Sequence, residues 1–353
     1  MSRLSYLDNL KSALIVLVLG HHLAIGFGGD GFWYYKLNQD SASTNQVLAI
    51  FNTINQSFFM SLFFFISAYF IPPSYDKKTT KHFLIDKLWR LGIPLVVFFF
   101  IASPLIAFWV NWLNPSSSST YFSMGPLWFV AALLLFNVFY LCCAKMKTPF
   151  VKINCPGFLS CCLIILIMGT ITWIVRLWFP VGRVTLGFQL AYFPLYILFF
   201  CGGILASRNA WLGSDFKKFK PLWVLSWLLS ISFIIYAHYW PESQQELAAG
   251  GVNRYAVLLA FWEPISCFSW IILGITLFKR YLNFTTDLTQ YAALAAYAVY
   301  VLQPFFIIFI TLIWGWMQWQ GLGGFVGAWI VCTLLSFYIA GWIRSFPVIN
   351  TIL

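Results

Sequence analysis

Apolar runs close to the roughly 20-residue length that crosses a bilayer recur from one end of this sequence to the other. They fall at Lys11 to Gly28, Val47 to Ile71, Leu88 to Trp112, Gly125 to Cys143, Phe158 to Phe179, Phe188 to Ala206, Pro221 to Trp240, Ala256 to Phe278, Tyr291 to Trp314 and Gly323 to Ile343. The pattern predicts an all-α, polytopic membrane bundle of about ten transmembrane helices, in one membrane domain spanning residues 1–353. The polar links between the runs are short, no internal repeat is visible, and the tract Pro115 to Thr120 reads as a turn. No A-x-A-like cleavage site follows the first run, so that run reads as a retained helix and not as a removed signal peptide.

Composition sharpens this picture. Of the 353 residues, 61% are hydrophobic and 9% charged, and the mean hydropathy is +0.81. A soluble chain of this size has too little polar surface at that balance, so the partner is the lipid bilayer. The formal charge of +11 does not point to nucleic acid, because the basic residues sit in short loops between apolar runs. They act as topology signals. With the N-terminus placed in the cytoplasm, Arg3, Lys11, Lys77, Lys78, Lys81, Lys87, Arg90, Lys145, Lys147, Lys152, Arg208, Lys217, Lys218, Lys220, Lys279, Arg280 and Arg344 fall inside, and only Lys36, Arg176, Arg183 and Arg254 fall outside. That 17 to 4 division predicts that both termini are cytoplasmic. Trp33, Trp112, Trp178, Trp240, Trp314 and Trp316 stand at the expected outer helix ends, where indoles favour the headgroup layer. Eight cysteines, mostly in or beside apolar runs and with neither zinc nor disulfide spacing, read as small hydrophobes.

Ionisable groups in a bilayer cost enough that each is a functional candidate. His21 and His22 lie on the first run, His22 about 21 Å beyond Asp8 at the helical rise and so in the outer half of the membrane. Glu263 on the eighth run is about 12 Å below the outer surface by the same rise, and Arg176 is one turn below the outer end of the fifth run. Asn55, Gln56 and Gln303 are embedded but uncharged. Each has a bland alternative: Arg176 snorkels to the headgroups, Glu263 pairs with Arg176 or Arg254, and a lone histidine simply packs. For the adjacent histidines a chemical role is favoured, because imidazole exchanges a proton near neutral pH. Neighbours on a helix point about 100° apart, so one of the two at most serves as the chemical group.

The segment YLDNLKSALIVLVLGHH, Tyr6 to His22, resembles the signature first helix of the membrane acyltransferase family 3, in which Leu-Asp-x-Leu-Arg is followed by an apolar run and a histidine fourteen positions after the aspartate. Asp8 and His22 keep that interval, with Lys11 where arginine is usual. Phe63 to Phe98 resembles the family's second and third helices with their basic link ending in Arg-Leu-x-Ile-Pro. Gly125 to Phe136 resembles its Gly-x-x-Trp-Phe helix, Phe193 to Leu212 also fits, and Ala296 to Phe305 matches a late helix except that Gln303 replaces a frequent histidine. Lys11 keeps the charge without the bidentate fork of arginine. Gln303 removes a titratable group, so proton transfer is excluded there.

The resemblance implies an O-acyltransferase of the bacterial cytoplasmic (inner) membrane. Its donor is a cytoplasmic acyl-CoA, acetyl-CoA foremost, its acceptor a hydroxyl on an extracytoplasmic or lipid-linked glycan, and no metal takes part. In that reading His22 is general base or transient acyl carrier, two routes that the sequence leaves open. Arg176 stabilises oxyanion charge or orients the acceptor, and Glu263 orients an imidazole or binds sugar hydroxyls. Arg90 and Lys87, with Lys11 and Asp8, belong to the donor side, where the alternative is ordinary inner-leaflet charge. His21, Trp128 and Gln303 are candidates for substrate contact, Trp128 by stacking or else as a bilayer anchor. The rival class is a proton-coupled transporter or exporter of a polar or glycan-related solute, which also uses intramembrane His, Glu and Arg. No ATP-binding loop motif occurs.

Overall fold

The computed structural model describes residues 4–37, 41–113, 120–145, 152–213, 220–239 and 250–352. Among them ten helical segments are long and apolar enough to cross a membrane: Ser5–Gly26, Ala42–Tyr75, Thr80–Leu113, Gly125–Ala144, Phe158–Trp178, Leu190–Arg208, Pro221–Tyr239, Arg254–Tyr281, Asp287–Trp316 and Gly321–Ile343, hereafter the first to tenth spans. No β-strand occurs among the described residues. The all-α, multi-pass membrane architecture read from the apolar runs is therefore present. Arg3, Lys147, Lys217, Lys218, Trp240 and all but Thr120 of the Pro115 to Thr120 tract lie outside the described residues.

The helices divide into two compact units. One draws on Met1–Asn55, Leu84–Leu135 and Asn283–Leu353, the other on Gln56–Phe83 and Phe136–Leu282.

In the first unit the first, ninth and tenth spans pack together. The first and ninth run parallel. At their starting ends the Ser5 hydroxyl meets that of Thr285 at 2.7 Å and Asn9 Nδ2 donates to Phe284 O at 3.0 Å, and at the far end Gly26 lies against the Thr311 side chain. Small residues permit this closeness. A Cβ on Gly20 would stand 2.4 Å from the Trp329 ring, whose Nε1 donates to Val16 O at 2.8 Å. The ninth span starts in a capping box, Thr286 with Thr289, which satisfies two first-turn amides. The third span is interrupted by π turns at Leu88–Gly92 and Phe98–Ala102. Pro94 lies between them and has no N–H to give to the carbonyl of Arg90, four residues back. The Tyr297 hydroxyl supplies the missing donor, at 2.7 Å from Arg90 O.

In the second unit the eighth span is central, with the fifth and seventh spans packed on it. Asn253 caps it by accepting from Ala256 N at 2.7 Å. Short polar links join helices where lipid offers no partners: Ser57 with Ser266 at 2.9 Å, Ser226 with Ser269 at 2.8 Å, and Trp262 Nε1 to Ser230 O at 2.8 Å. At the end of the sixth span Arg208 grips Asp76 through two bonds of 2.5 and 2.9 Å and Tyr140 through one of 3.0 Å.

Two expectations need correction. Trp33 and Trp314 are not headgroup anchors, since each is only 6% exposed, whereas Trp112, Trp178 and Trp316 are exposed as an interfacial belt requires. Aromatic residues at a helix end look alike in sequence, and packing by distant segments decides which are covered. The cysteines also divide: Cys161, Cys267 and Cys332 are buried, but Cys142, Cys143 and Cys201 are exposed.

Candidate functional site

His22 comes into place because the first span is helical well past the apolar midpoint and because the segment after it folds back. Gly29 N donates to Ala24 O and Leu37 N to Gly26 O, each at 2.8 Å. Gly28 and Gly31 take φ of +106° and +130°, open to glycine without strain. Asn52 Nδ2 fixes the turn from the second span by donating to Asp30 O at 3.1 Å. The result lays the Trp33 indole on the His22 imidazole, ring centroids 4.3 Å apart and planes 23° from parallel. His22 is half-buried with Nδ1 sealed and without a hydrogen bond. His21 is buried and meets His22 edge to face at 5.4 Å. The two rings thus point differently, as their 100° separation requires.

Tyr34 extends the cluster. Its hydroxyl is buried without a hydrogen-bond partner and lies so close to Gly125 that a Cβ there would be 2.1 Å from it. Gly125, at φ +46°, is the one residue type that gives both the turn and the room. Burial raises the Tyr34 pKa above its ordinary value, so the phenol stays protonated and available as a donor. The next residue, Pro126, accepts a short hydrogen bond from Tyr300 on the ninth span. One turn from Tyr300 is Gln303, wholly buried, with both amide atoms lacking hydrogen-bond partners. Gln303 lies about 24 Å along its span and His22 about 26 Å along the parallel first span, so the two stand at similar heights. Trp128 is half-buried, its ring edge to face with Phe129 at 6.4 Å.

At the other end of this unit, Arg90 is exposed on the first π turn of the third span, with its backbone carbonyl held by Tyr297. Among the described residues of the first unit its guanidinium meets no carboxylate. Lys87, one turn earlier, is half-buried. Lys11 and Asp8 pair with each other at 2.8 Å, one turn apart on the first span. Asp8 also lines a shallow surface dimple with Ser5, Asn9, Thr285, Thr289 and Gln290.

The second unit holds its own polar centre. Arg176 Nη2 donates to Glu263 Oε2 at 2.5 Å, and the two side chains are only 2% and 5% exposed. Arg176 therefore does not snorkel, and Glu263 pairs with Arg176, not Arg254. The guanidinium lies 5.4 Å over the Tyr192 ring, and its Nε and Nη1 are buried without hydrogen-bond partners. Tyr192 stacks with Tyr196 at 6.3 Å, and Tyr196 Oη accepts from Gln56 Nε2 at 3.1 Å.

A family model described as an acyltransferase domain matches residues 4–344. The chain belongs to the acyltransferase 3 family. No curated protein and no solved structure matches it. Of the candidate residues, His22, Arg90, Trp128 and Gln303 fall in the first unit, and Arg176 and Glu263 fall in the second. Sequence reasoning missed Trp33 and Tyr34 as neighbours of the embedded histidine. Their only signal was a run of four aromatics, Phe32 to Tyr35, after a glycine-rich stretch, which an interfacial belt explains equally well. It also passed over His238, buried near the end of the seventh span, whose ring bonds to the carbonyl of Ile234 on its own helix at 3.0 Å and so has a packing role.

Proposed function

We propose that this acyltransferase 3 family member moves an acyl group, acetyl first among them, from cytoplasmic acyl-CoA to a hydroxyl of an extracytoplasmic or lipid-linked glycan in the bacterial inner membrane. The observation that carries the reading is His22: an imidazole near the far end of the first spanning helix, partly accessible and held against an indole. With Nδ1 sealed, Nε2 is the nitrogen that works. It takes the proton of the acceptor hydroxyl as that oxygen attacks the thioester carbonyl. The tetrahedral adduct then collapses, the carbon–sulfur bond breaks, and the proton passes from Nε2 to the departing thiolate.

On the donor side, the exposed Arg90 guanidinium suits a coenzyme A phosphate. Lys87 one turn away adds charge. Lys11 contributes less, because Asp8 already balances it. On the acceptor side, Gln303 and the hydroxyl of Tyr34 are buried polar groups whose geometry suits a hydroxyl-bearing guest. His21 meets the His22 ring, and Trp128 follows Gly125 by one turn. In the second unit Arg176 keeps N–H groups free for acceptor oxygens, and Glu263 holds the guanidinium in place.

The test is transfer by the full-length protein in proteoliposomes supplied with acetyl-CoA and a glycan fraction from the cell envelope. Wild-type protein is expected to label the glycan, and His22→Ala to lower the rate by about 10²–10⁴-fold, the usual worth of general base catalysis. Solute flux without acyl-CoA would instead favour a transporter. Full transfer by His22→Ala would remove the imidazole from the chemistry.

A further inference from the structure

Trp33 and the residue before it sit in opposite environments: Phe32 is 77% exposed and Trp33 6%. A residue that only anchored the chain in the headgroup layer would resemble Phe32. Trp33 instead turns inward onto His22, and the segment that carries it is fixed at several points. The first span holds it through Ala24 O and Gly26 O, the second through Asn52, and Lys36 Nζ closes it on itself by donating to Gly31 O at 2.7 Å. The indole is therefore placed before any substrate arrives.

Stacking at 4.3 Å with planes 23° apart covers one face of the imidazole and sets its plane. It also supplies an electrostatic partner. The π face of an indole attracts a cation more strongly than does a phenyl or phenol ring. Among the described residues of the first unit His22 pairs with no carboxylate. When Nε2 takes the acceptor's proton the ring becomes an imidazolium in a poorly solvated site, and the indole face is the group that meets that charge. The neutral ring gains much less from it. The contact thus strengthens as the reaction proceeds, which is the condition for lowering a barrier and not merely tightening binding.

We propose that Trp33 is the positioning residue for His22, fixing the plane of its imidazole and stabilising the positive charge that the ring acquires as it takes the proton of the acceptor hydroxyl. This inference rests on the general-base reading of His22, and the experiment separates the two. Membrane vesicles containing the full-length protein and endogenous envelope glycans receive labelled acetyl-CoA over a range of concentrations. Label in the glycan fraction gives kcat and the KM for acetyl-CoA. Trp33→Leu is expected to lower kcat about tenfold, within the range of a desolvated cation–π contact, and to leave KM within about twofold. Trp33→Phe, which keeps a ring to stack, is expected to retain about a third of the rate. If Trp33→Leu does not accumulate in the membrane, Trp33→Met supplies similar bulk without a ring and carries the same expectation. In a His22→Ala background, Trp33→Leu is expected to change the residual rate by less than about twofold, because the two groups act as one unit. An unchanged kcat in Trp33→Leu, a rise in KM alone, or equal loss in Trp33→Phe and Trp33→Leu would overturn the assignment of Trp33 while leaving His22 as base. Full activity in His22→Ala would overturn the base itself.

Discussion

Gln303 keeps its amide oxygen and nitrogen buried without a hydrogen bond in the first unit, and each unmade bond of a buried amide costs about 1–3 kcal/mol. A polar guest hydrogen-bonded to the amide would offset that cost. Gln303→Leu removes the orphaned groups at similar volume, so the expected outcome is opposite in two measurements: higher thermal stability of the detergent-solubilised protein, by roughly 1–2 kcal/mol, and transfer slower by about tenfold, the loss of one hydrogen bond to substrate. A variant that loses stability would show that the amide serves packing. Single residues were legible in the sequence where chemistry conflicted with surroundings. His22, Arg176 and Glu263 stood out because lipid forbids them, and depth alone brought the last two to one level before their 2.5 Å contact was known. Trp33 and Tyr34 did not stand out, because an aromatic side chain suits lipid, headgroup and protein interior alike. Only the fold of the glycine-rich link decides which it meets.

At the scale of elements, the third span behaves least like a plain helix, and its irregularity has a cause that can be tested. Pro94 removes the amide that would bond the carbonyl of Arg90, and Tyr297 on the ninth span fills the gap at 2.7 Å. Tyr297→Phe is expected to remove that hydrogen bond and to cost about 0.5–1.5 kcal/mol in unfolding. Pro94→Ala returns a backbone donor, so the double variant should recover most of the loss. If the two changes simply add, the hydroxyl is not the carbonyl's needed partner. The spans themselves were readable because a bilayer demands a long apolar run and nothing else. Their ends were less so. The first span begins at Ser5 instead of Lys11 because Lys11 is balanced by Asp8 inside the helix and because Ser5 and Asn9 bond to Thr285 and Phe284, partners remote in sequence. The π turns had no sequence signal beyond the proline.

For the whole molecule, sidedness decides whether the chemistry can work at all. The ten candidate spans among the described residues would return the chain to the side on which it starts, and the parallel run of the first and ninth is what alternation requires of two odd-numbered members. Neither fact says which side faces the cytoplasm. The 17 to 4 bias of Lys and Arg toward the links on the side of the termini is the sequence pattern from which a cytoplasmic placement of that side is proposed. The proposed orientation would put Arg90 where acyl-CoA is present and His22 near the outer surface. The inverted orientation would put Arg90 where there is no donor. Cysteine labelling checks it: in a background with the eight native cysteines replaced, Arg183→Cys is expected to react with an impermeant maleimide on intact spheroplasts, and Lys78→Cys only after the membrane is opened. Both positions are exposed, so a failure to label reflects side and not burial. The reverse pattern would leave the family membership intact but remove the proposed route from donor to acceptor, since Arg90 would then be separated from cytoplasmic acyl-CoA by the full thickness of the bilayer.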